Sequence, residues 1–276
     1  VPSPEPAVSF QPGVLSRGPA LHAVFMIIRE IFCKTILTRT GIEGFDYAIN
    51  PYRGCGHGCR YCYASFMKRF SGHNEPWGEF VDVKINAAEV LKRQLRRARE
   101  ISVIFSSVTD PYQPVERRYE LTRRCLEVLQ KHPCSVHVLT RSPLCLRDLE
   151  IFKSFERIEV GLSVTTDDER MRRLFEPHSS SIPSRIETLR VLHREGVRTY
   201  GFIGPMLPLD PERLVALLEG CVDEVLIDRL NYSGRVKGFY RRAGLDQYLE
   251  DGFFSLYGRE LKRRFEEKGI PVSLCF

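Results

Sequence analysis

The stretch NPYRGCGHGCRYCYA, residues 50–64, holds three of the chain's nine cysteines, Cys55, Cys59 and Cys62, spaced C-x3-C-x2-C. Thiolates are soft donors that select zinc, copper(I) or iron–sulfur clusters. A closed structural zinc site takes four donors, usually from two separated pairs. The motif itself lacks a fourth donor. His57 is trapped between two cysteines, and His73 follows Cys62 by eleven residues. Three chemistries stand open on spacing alone: a zinc site completed by His73, three ordinary thiols, or an iron–sulfur cube with one exchangeable iron. A cube ordinarily takes four thiolates, so three would leave one iron free to bind a substrate or cofactor.

The elements around the motif alternate. AINPY (48–52) is a short apolar strand leading into the cysteine loop. Further strands are expected at 101–108, 135–140, 158–165, 198–206 and 223–232, from apolar runs rich in β-branched residues. Helical periodicity fills 89–100, 121–132, 144–155, 167–175, 183–196, 211–221 and 256–269. Gly196 offers a left-handed stop to one helix, and Pro211 sits in the first turn of another. Six strands alternating with helices predict an α/β fold, a partial (β/α)6 barrel around a parallel sheet. In such sheets the chemistry gathers at the carboxyl ends of the strands. The cysteine loop follows the first strand and so belongs there.

With 276 residues, 43% of them hydrophobic, the chain can bury a substantial core, which excludes global disorder. The net charge of +6 fits a polyanionic partner without requiring one. Arg93, Arg96, Arg97 and Arg99 make one helix basic, and Arg-Arg pairs recur along the chain. They suit either a phosphate footprint or exposed pairing with neighbouring acids. Cys33, Cys125, Cys134, Cys145, Cys221 and Cys275 are scattered through apolar segments, a pattern suited to a reducing cytoplasm. No run approaches the roughly 20 apolar residues of a membrane span. The proline-rich residues 1–25 read as a disordered extension, 26–233 as the barrel and 234–276 as a helical extension packed on it. Oligomeric state is not legible.

With Tyr61 as the aromatic, C-x3-C-x-aromatic-C resembles the hallmark of radical S-adenosylmethionine (SAM) enzymes. VTDPYQPVE (108–116), LTRSPL (139–144), GLSVTTDDERMRRLFEP (161–177) and PSRIETLRVLHREG (183–196) extend the likeness. Together these blocks resemble the branch related to spore photoproduct lyase, often called DNA repair photolyase-like. That resemblance implies a [4Fe–4S] cluster on Cys55, Cys59 and Cys62, with SAM chelated by the open iron. It also implies a one-electron reductant such as flavodoxin or ferredoxin, and a 5′-deoxyadenosyl radical that abstracts hydrogen. By the same resemblance Tyr61 lies near adenine, Thr109 and Asp110 hold the amino group of SAM, Arg141 lies near its carboxylate and Ser163 at its ribose. Glu176 and Arg185 are family-like without an assigned role, and His57 either tunes a cluster sulfur or packs the loop. Nucleic acid is one substrate class the resemblance offers. The likeness breaks at Ser107, where the lyase carries its hydrogen-donating cysteine. A serine O–H bond is too strong for that task, and Cys145 and Cys275 are the remaining candidate thiols. This departure argues for a different substrate or a different way of quenching the radical.

Overall fold

The computed structural model describes residues 26–275. Its strands are β1 (Ile27–Ile31), β2 (Leu37–Arg39), β3 (Tyr47–Ile49), β4 (Tyr52–Arg53), β5 (Phe80–Lys84) and β6 (Ile101–Phe105), then β7 (Cys134–Thr140), β8 (Ile158–Ser163), β9 (Arg198–Ile203), β10 (Glu224–Ile227) and β11 (Val272–Leu274). The main sheet runs β11-β10-β9-β8-β7-β6-β3-β2. Every neighbouring pair in it is parallel except β2–β3. The six strands expected from the sequence are its six central members, side by side in chain order, so the partial barrel stands. A helix follows each of β6 to β10, as right-handed crossovers require.

Three features differ from expectation. The terminal run IPVSLCF, within the extension read as helical, contributes β11, a further parallel strand beside β10. A second sheet, β1-β5-β4, packs near the cysteine loop, and its centre is the buried strand FVDVK. The expected helix 144–155 is also split, into a tight turn over Pro143–Asp148 and a short helix over Leu149–Lys153. The extension expected over residues 1–25 lies outside the described residues.

Register decides which side chains face the chemistry. Phe105, Val138 and Val160 share one face, continued by Leu162, Gly201 and Val225. This face is fully buried; helices cover it, with Leu218 of helix Pro211–Leu218 packed on Gly201. The opposite, concave face carries Ile104, His137 and Glu159, then Leu139, Gly161 and Tyr200, then Ser163, Phe202 and Leu226 nearest the carboxyl end. Gly161 lets the Tyr200 ring fill the lumen, since a Cβ there would lie 2.3 Å from that ring.

The local rules hold where they were clearest. Gly196 adopts φ +80° and its N–H closes on the His193 carbonyl at 3.0 Å, ending helix Ile182–Arg194. Asp210 caps the helix that Pro211 opens. Among the described residues no helix is long and apolar enough to cross a membrane.

Candidate metal centre

The cysteine loop is clamped on two sides. On the first, the Gly54 carbonyl accepts from the Thr109 hydroxyl at 2.6 Å and from Gln113 Nε2 at 3.3 Å. Gln113 is itself fully buried, and its Oε1 accepts the Gly56 N–H at 2.9 Å. Gly54 has φ +89°, and a Cβ on it would meet the Phe80 carbonyl of β5 at 2.3 Å. On the second side Arg60 donates its N–H to the Phe175 carbonyl at 2.9 Å, and Gly58 lies back to back with Gly78. A Cβ on Gly78 would stand 2.8 Å from the Gly58 Cα. The loop is thus built to a fixed shape before any metal arrives.

Cys55 and Cys59 are buried, Cys62 is half-buried, and all three are free thiols. Burial pushes each thiol up, Cys59 to about 12. The Asp110 carboxylate adds to the rise at Cys55, whereas the Arg141 guanidinium opposes it at Cys59 and Cys62. Metal binding must remove these protons, so nearby cations and N–H donors favour loading. The Trp77 indole also opposes the rise at Cys62, and its buried Nε1 has no hydrogen-bond partner among the described residues.

The donor set discriminates between metals. Among the described residues no three His, Cys, Asp or Glu side chains are placed to hold a single ion. His73, the fourth ligand of the zinc alternative, has Nε2 at 2.9 Å from Asp82 and Nδ1 at 3.1 Å from Glu75, with its ring stacked on Phe80. Both nitrogens are committed to carboxylates, so the zinc site loses its fourth ligand. Three thiols that do not converge on one point fit a cluster that takes one thiolate per iron.

The remaining expected residues gather at the carboxyl ends of β6, β7 and β8. Asp110 is buried and accepts from the Tyr112 N–H (2.8 Å), the Thr140 hydroxyl (2.6 Å) and the Arg141 N–H (2.8 Å), with His57 Nε2 at 3.3 Å. Burial alone would raise its pKa; His57, Thr140 and Arg141 overcome that and lower it. His57 Nδ1 lies 3.4 Å from the His178 carbonyl. Tyr61 and Arg141 pair with each other, Arg141 Nη2 donating to the Tyr61 hydroxyl at 3.0 Å. Both also bind Glu176, Tyr61 through its hydroxyl and Arg141 through Nε at 3.3 Å. Glu176 further accepts from Thr165, Ser179 and Arg185. Arg185, fully buried, crosses to the Ser163 carbonyl at 2.8 Å. The Ser163 hydroxyl is buried on the lumen face without a hydrogen-bond partner among the described residues.

Ser107 lies just beyond β6. Its hydroxyl accepts from Asn50 at 3.3 Å and its carbonyl from the Tyr63 hydroxyl. Cys145 is fully buried in the main core, where burial and the carboxylates of Asp110 and Asp148 push its thiol up. Cys275 is exposed at the carboxyl end of β11, its N–H bonded to the Ile227 carbonyl at 2.8 Å. Sequence reasoning missed Gln113 and Trp77 altogether. The available signals were a glutamine just after the second strand and the single tryptophan of the chain.

A parallel partial barrel with a three-cysteine loop at its carboxyl end defines a class of enzymes that generate radicals from SAM. Residues 49–220 match the Radical SAM superfamily, and the chain belongs to it. It is accordingly an enzyme that uses SAM, an iron–sulfur cluster and a reductant. It is 36% identical over 190 residues to an uncharacterised protein of Methanocaldococcus jannaschii, covering 68% of this chain and 71% of that protein. It is 26% identical over 182 residues to the Radical SAM Nalpha-GlyT isomerase of Pseudomonas phage M6, covering 65% of this chain but only 35% of that protein. Its fold matches spore photoproduct lyase complexed with dinucleoside spore photoproduct at a TM-score of 0.68, with 13% identity over 90% of this chain and 82% of that one.

Proposed function

We propose that Cys55, Cys59 and Cys62 hold a [4Fe–4S] cluster and that the enzyme acts on nucleic acid. The observation that carries the cluster assignment is the set of three free thiols on a clamped loop, with His73, the fourth donor of the zinc alternative, held by Glu75 and Asp82. When bound, the cluster supplies the electron that splits SAM into methionine and a 5′-deoxyadenosyl radical. The chain's part is to hold the reactants. Ser163 offers the lumen a hydroxyl with no competing partner, which suits a contact to the SAM ribose. Tyr61 and Arg141 form a rigid edge of the loop, braced by Glu176, against which adenine and the SAM carboxylate would rest. Thr109 is engaged in holding the loop and Asp110 in accepting from Thr140, and either would meet the SAM amino group by exchanging one of those bonds. The electron comes from a one-electron carrier such as flavodoxin or ferredoxin. Nine free cysteines support a reducing, cytoplasmic setting.

Nucleic acid is supported by the rim of the site. Residues 50–74 contain no carboxylate but carry Arg53, Arg60, Lys68 and Arg69. Residues 229–245 likewise carry Arg229, Arg235, Lys237, Arg241 and Arg242 without an acid. The two segments meet where Arg235 Nη1 donates to the Tyr63 carbonyl at 3.1 Å. Lys68, Arg69 and Arg235 line a cavity of about 470 Å³ there, and Tyr63, Phe70 and Tyr232 are exposed nearby. Cations interleaved with exposed aromatic rings suit phosphates and stacked, unpaired bases.

Two measurements test these assignments. Anaerobic reconstitution should give a brown protein with about four irons, and dithionite plus SAM should release 5′-deoxyadenosine. A colourless protein with one stoichiometric zinc would overturn the cluster. A single-stranded oligonucleotide should bind with an affinity that falls linearly in log salt, and Arg69→Glu with Arg235→Glu should reduce the slope by about two. Oligonucleotide binding that ignores both substitutions would remove nucleic acid from this rim.

A further inference from the structure

We infer that the exposed end of helix Ala87–Leu95, with the turns beside it, is a second nucleic-acid contact, which grips the phosphate backbone of a duplex flanking the reacting nucleotides. This rests on the enzyme acting on nucleic acid, as proposed above, and adds a double-stranded arm to that substrate.

Lys92, Arg93, Arg96, Arg97 and Arg99 fill five of eight consecutive positions, and all are exposed. Lys131 joins them from the end of helix Leu121–Leu129, which packs beside this one. There His132 Nε2 lies 2.7 Å from the Arg99 carbonyl. None of the six cations forms an ion pair among the described residues, for Glu100, the acid that closes the run, is taken by Arg157 instead. By contrast, Arg263 and Arg264 both bind Glu260, at 2.7 and 2.6 Å, and Arg172 binds Glu169 at 3.1 Å. Exposed pairing with neighbouring acids therefore accounts for those arginine pairs but not for this run.

The run works against the fold. Lys92 and Arg96 are like charges one helical turn apart, and such a pair destabilises a helix. The carboxyl end of a helix favours a cation in its last turn, which explains one or two of these side chains and not five. Between residues 86 and 132 no large apolar side chain is exposed, whereas a protein interface has an apolar, aromatic-rich core. The same absence removes the stacking platform that unpaired bases require. Phosphates are what such a surface binds. Position agrees with a flanking duplex. Helix Ala87–Leu95 leads into β6, so the run lies at the amino end of that strand, while Tyr63 of the rim meets the Ser107 carbonyl just past its carboxyl end. The five residues of β6 rise about 17 Å, which is about five base-pair steps. One duplex arm leaving the rim covers that distance.

The test combines Arg93→Gln, Arg96→Gln and Arg97→Gln, three exposed changes to a good helix former. Arg93→Lys, Arg96→Lys and Arg97→Lys together keep the charge. DNA and RNA duplexes of about 20 base pairs are titrated at several salt concentrations, beside a single-stranded oligonucleotide. For the duplex the glutamine protein should lose about three from the slope of log affinity against log salt, and the lysine protein should retain it. Single-strand binding, held at the rim, should be unchanged in both. A loss with either polymer upholds the contact, and the tighter of the two duplexes names it. A duplex bound with one slope by the wild type and the glutamine protein overturns this inference alone. So does a wild type that binds single strands but no duplex, or a glutamine protein that loses an acidic flavodoxin and keeps the duplex. A wild type that binds neither duplex nor single strand overturns the nucleic-acid reading and this inference with it.

Discussion

Tyr61, inside the cysteine motif, donates its phenolic hydrogen bond to Glu176, 115 positions further along the chain. Burial alone would push the Glu176 carboxyl up, but the guanidiniums of Arg185 and Arg141 override it and hold the group well below the usual carboxylate range. One buried anion therefore fixes the aromatic residue of the loop, the arginine after β7 and the helix Ile182–Arg194 together. Such a network contributes little net stability against an apolar core, but breaking one member leaves the others charged and unpaired.

Glu176→Gln is accordingly expected to destabilise the metal-free chain by about 3–5 kcal/mol. Urea unfolding of the two proteins measures this directly. A loss below about 1 kcal/mol, the range of an exposed pair, would show that Arg185 and Arg141 find other partners.

Gly54 and Gly44 share a positive φ, +89° and +83°, but only Gly54 faces an obstacle. Alanine at Gly44 meets open space, so Gly44→Ala should cost only backbone strain, about 1–2 kcal/mol. Gly54→Ala must in addition push the loop off the Phe80 carbonyl, for a total of about 2–5 kcal/mol. Iron uptake separates the two further. Gly44→Ala should load normally, and Gly54→Ala should take up markedly less iron. Equal loading would mean that the loop adapts to the added methyl group.

How much of this was legible follows from the range of each interaction. The six barrel strands are short apolar runs between helical periods, a local signal, and they appear in the order read. The cysteine motif is local too. Strand β5, FVDVK, escaped because five residues after a glycine-rich turn carry no period long enough to recognise. β11 escaped because IPVSLCF becomes a strand only by pairing with β10, more than forty residues earlier. The role of Glu176 was hidden because its partners come from three separate segments. Gln113 was hidden because nothing in a lone glutamine marks it as the clamp of a loop 57 residues away.

The small sheet predicts a pH dependence. Asp82 is buried in β5, where desolvation alone would raise its pKa, but Arg29 and His73 lower it. Arg29 meets it with two nitrogens, at 2.8 and 2.9 Å. A carboxylate with a depressed folded pKa stabilises above its unfolded value of about 3.9, and that stability is lost as pH falls through the lower folded value. Acid unfolding of the wild type should therefore steepen below about pH 4. Asp82→Asn should be less stable at neutral pH and flatter in that window. Parallel curves for the two proteins would assign the acid transition to other carboxylates.

Ser163 separates binding from folding. Its hydroxyl is buried on the lumen face without a hydrogen-bond partner among the described residues, so the folded chain gains nothing from it. Removing an unpaired buried hydroxyl is neutral or slightly stabilising. Ser163→Ala should thus leave the urea midpoint of the metal-free chain unchanged or raise it. If the hydroxyl meets the SAM ribose, the same change should weaken SAM binding to the loaded enzyme by about two- to tenfold, the worth of one hydrogen bond. Equilibrium dialysis with labelled SAM gives that affinity. Unchanged affinity would move the ribose away from β8, and a lower urea midpoint would show that the hydroxyl serves the fold instead.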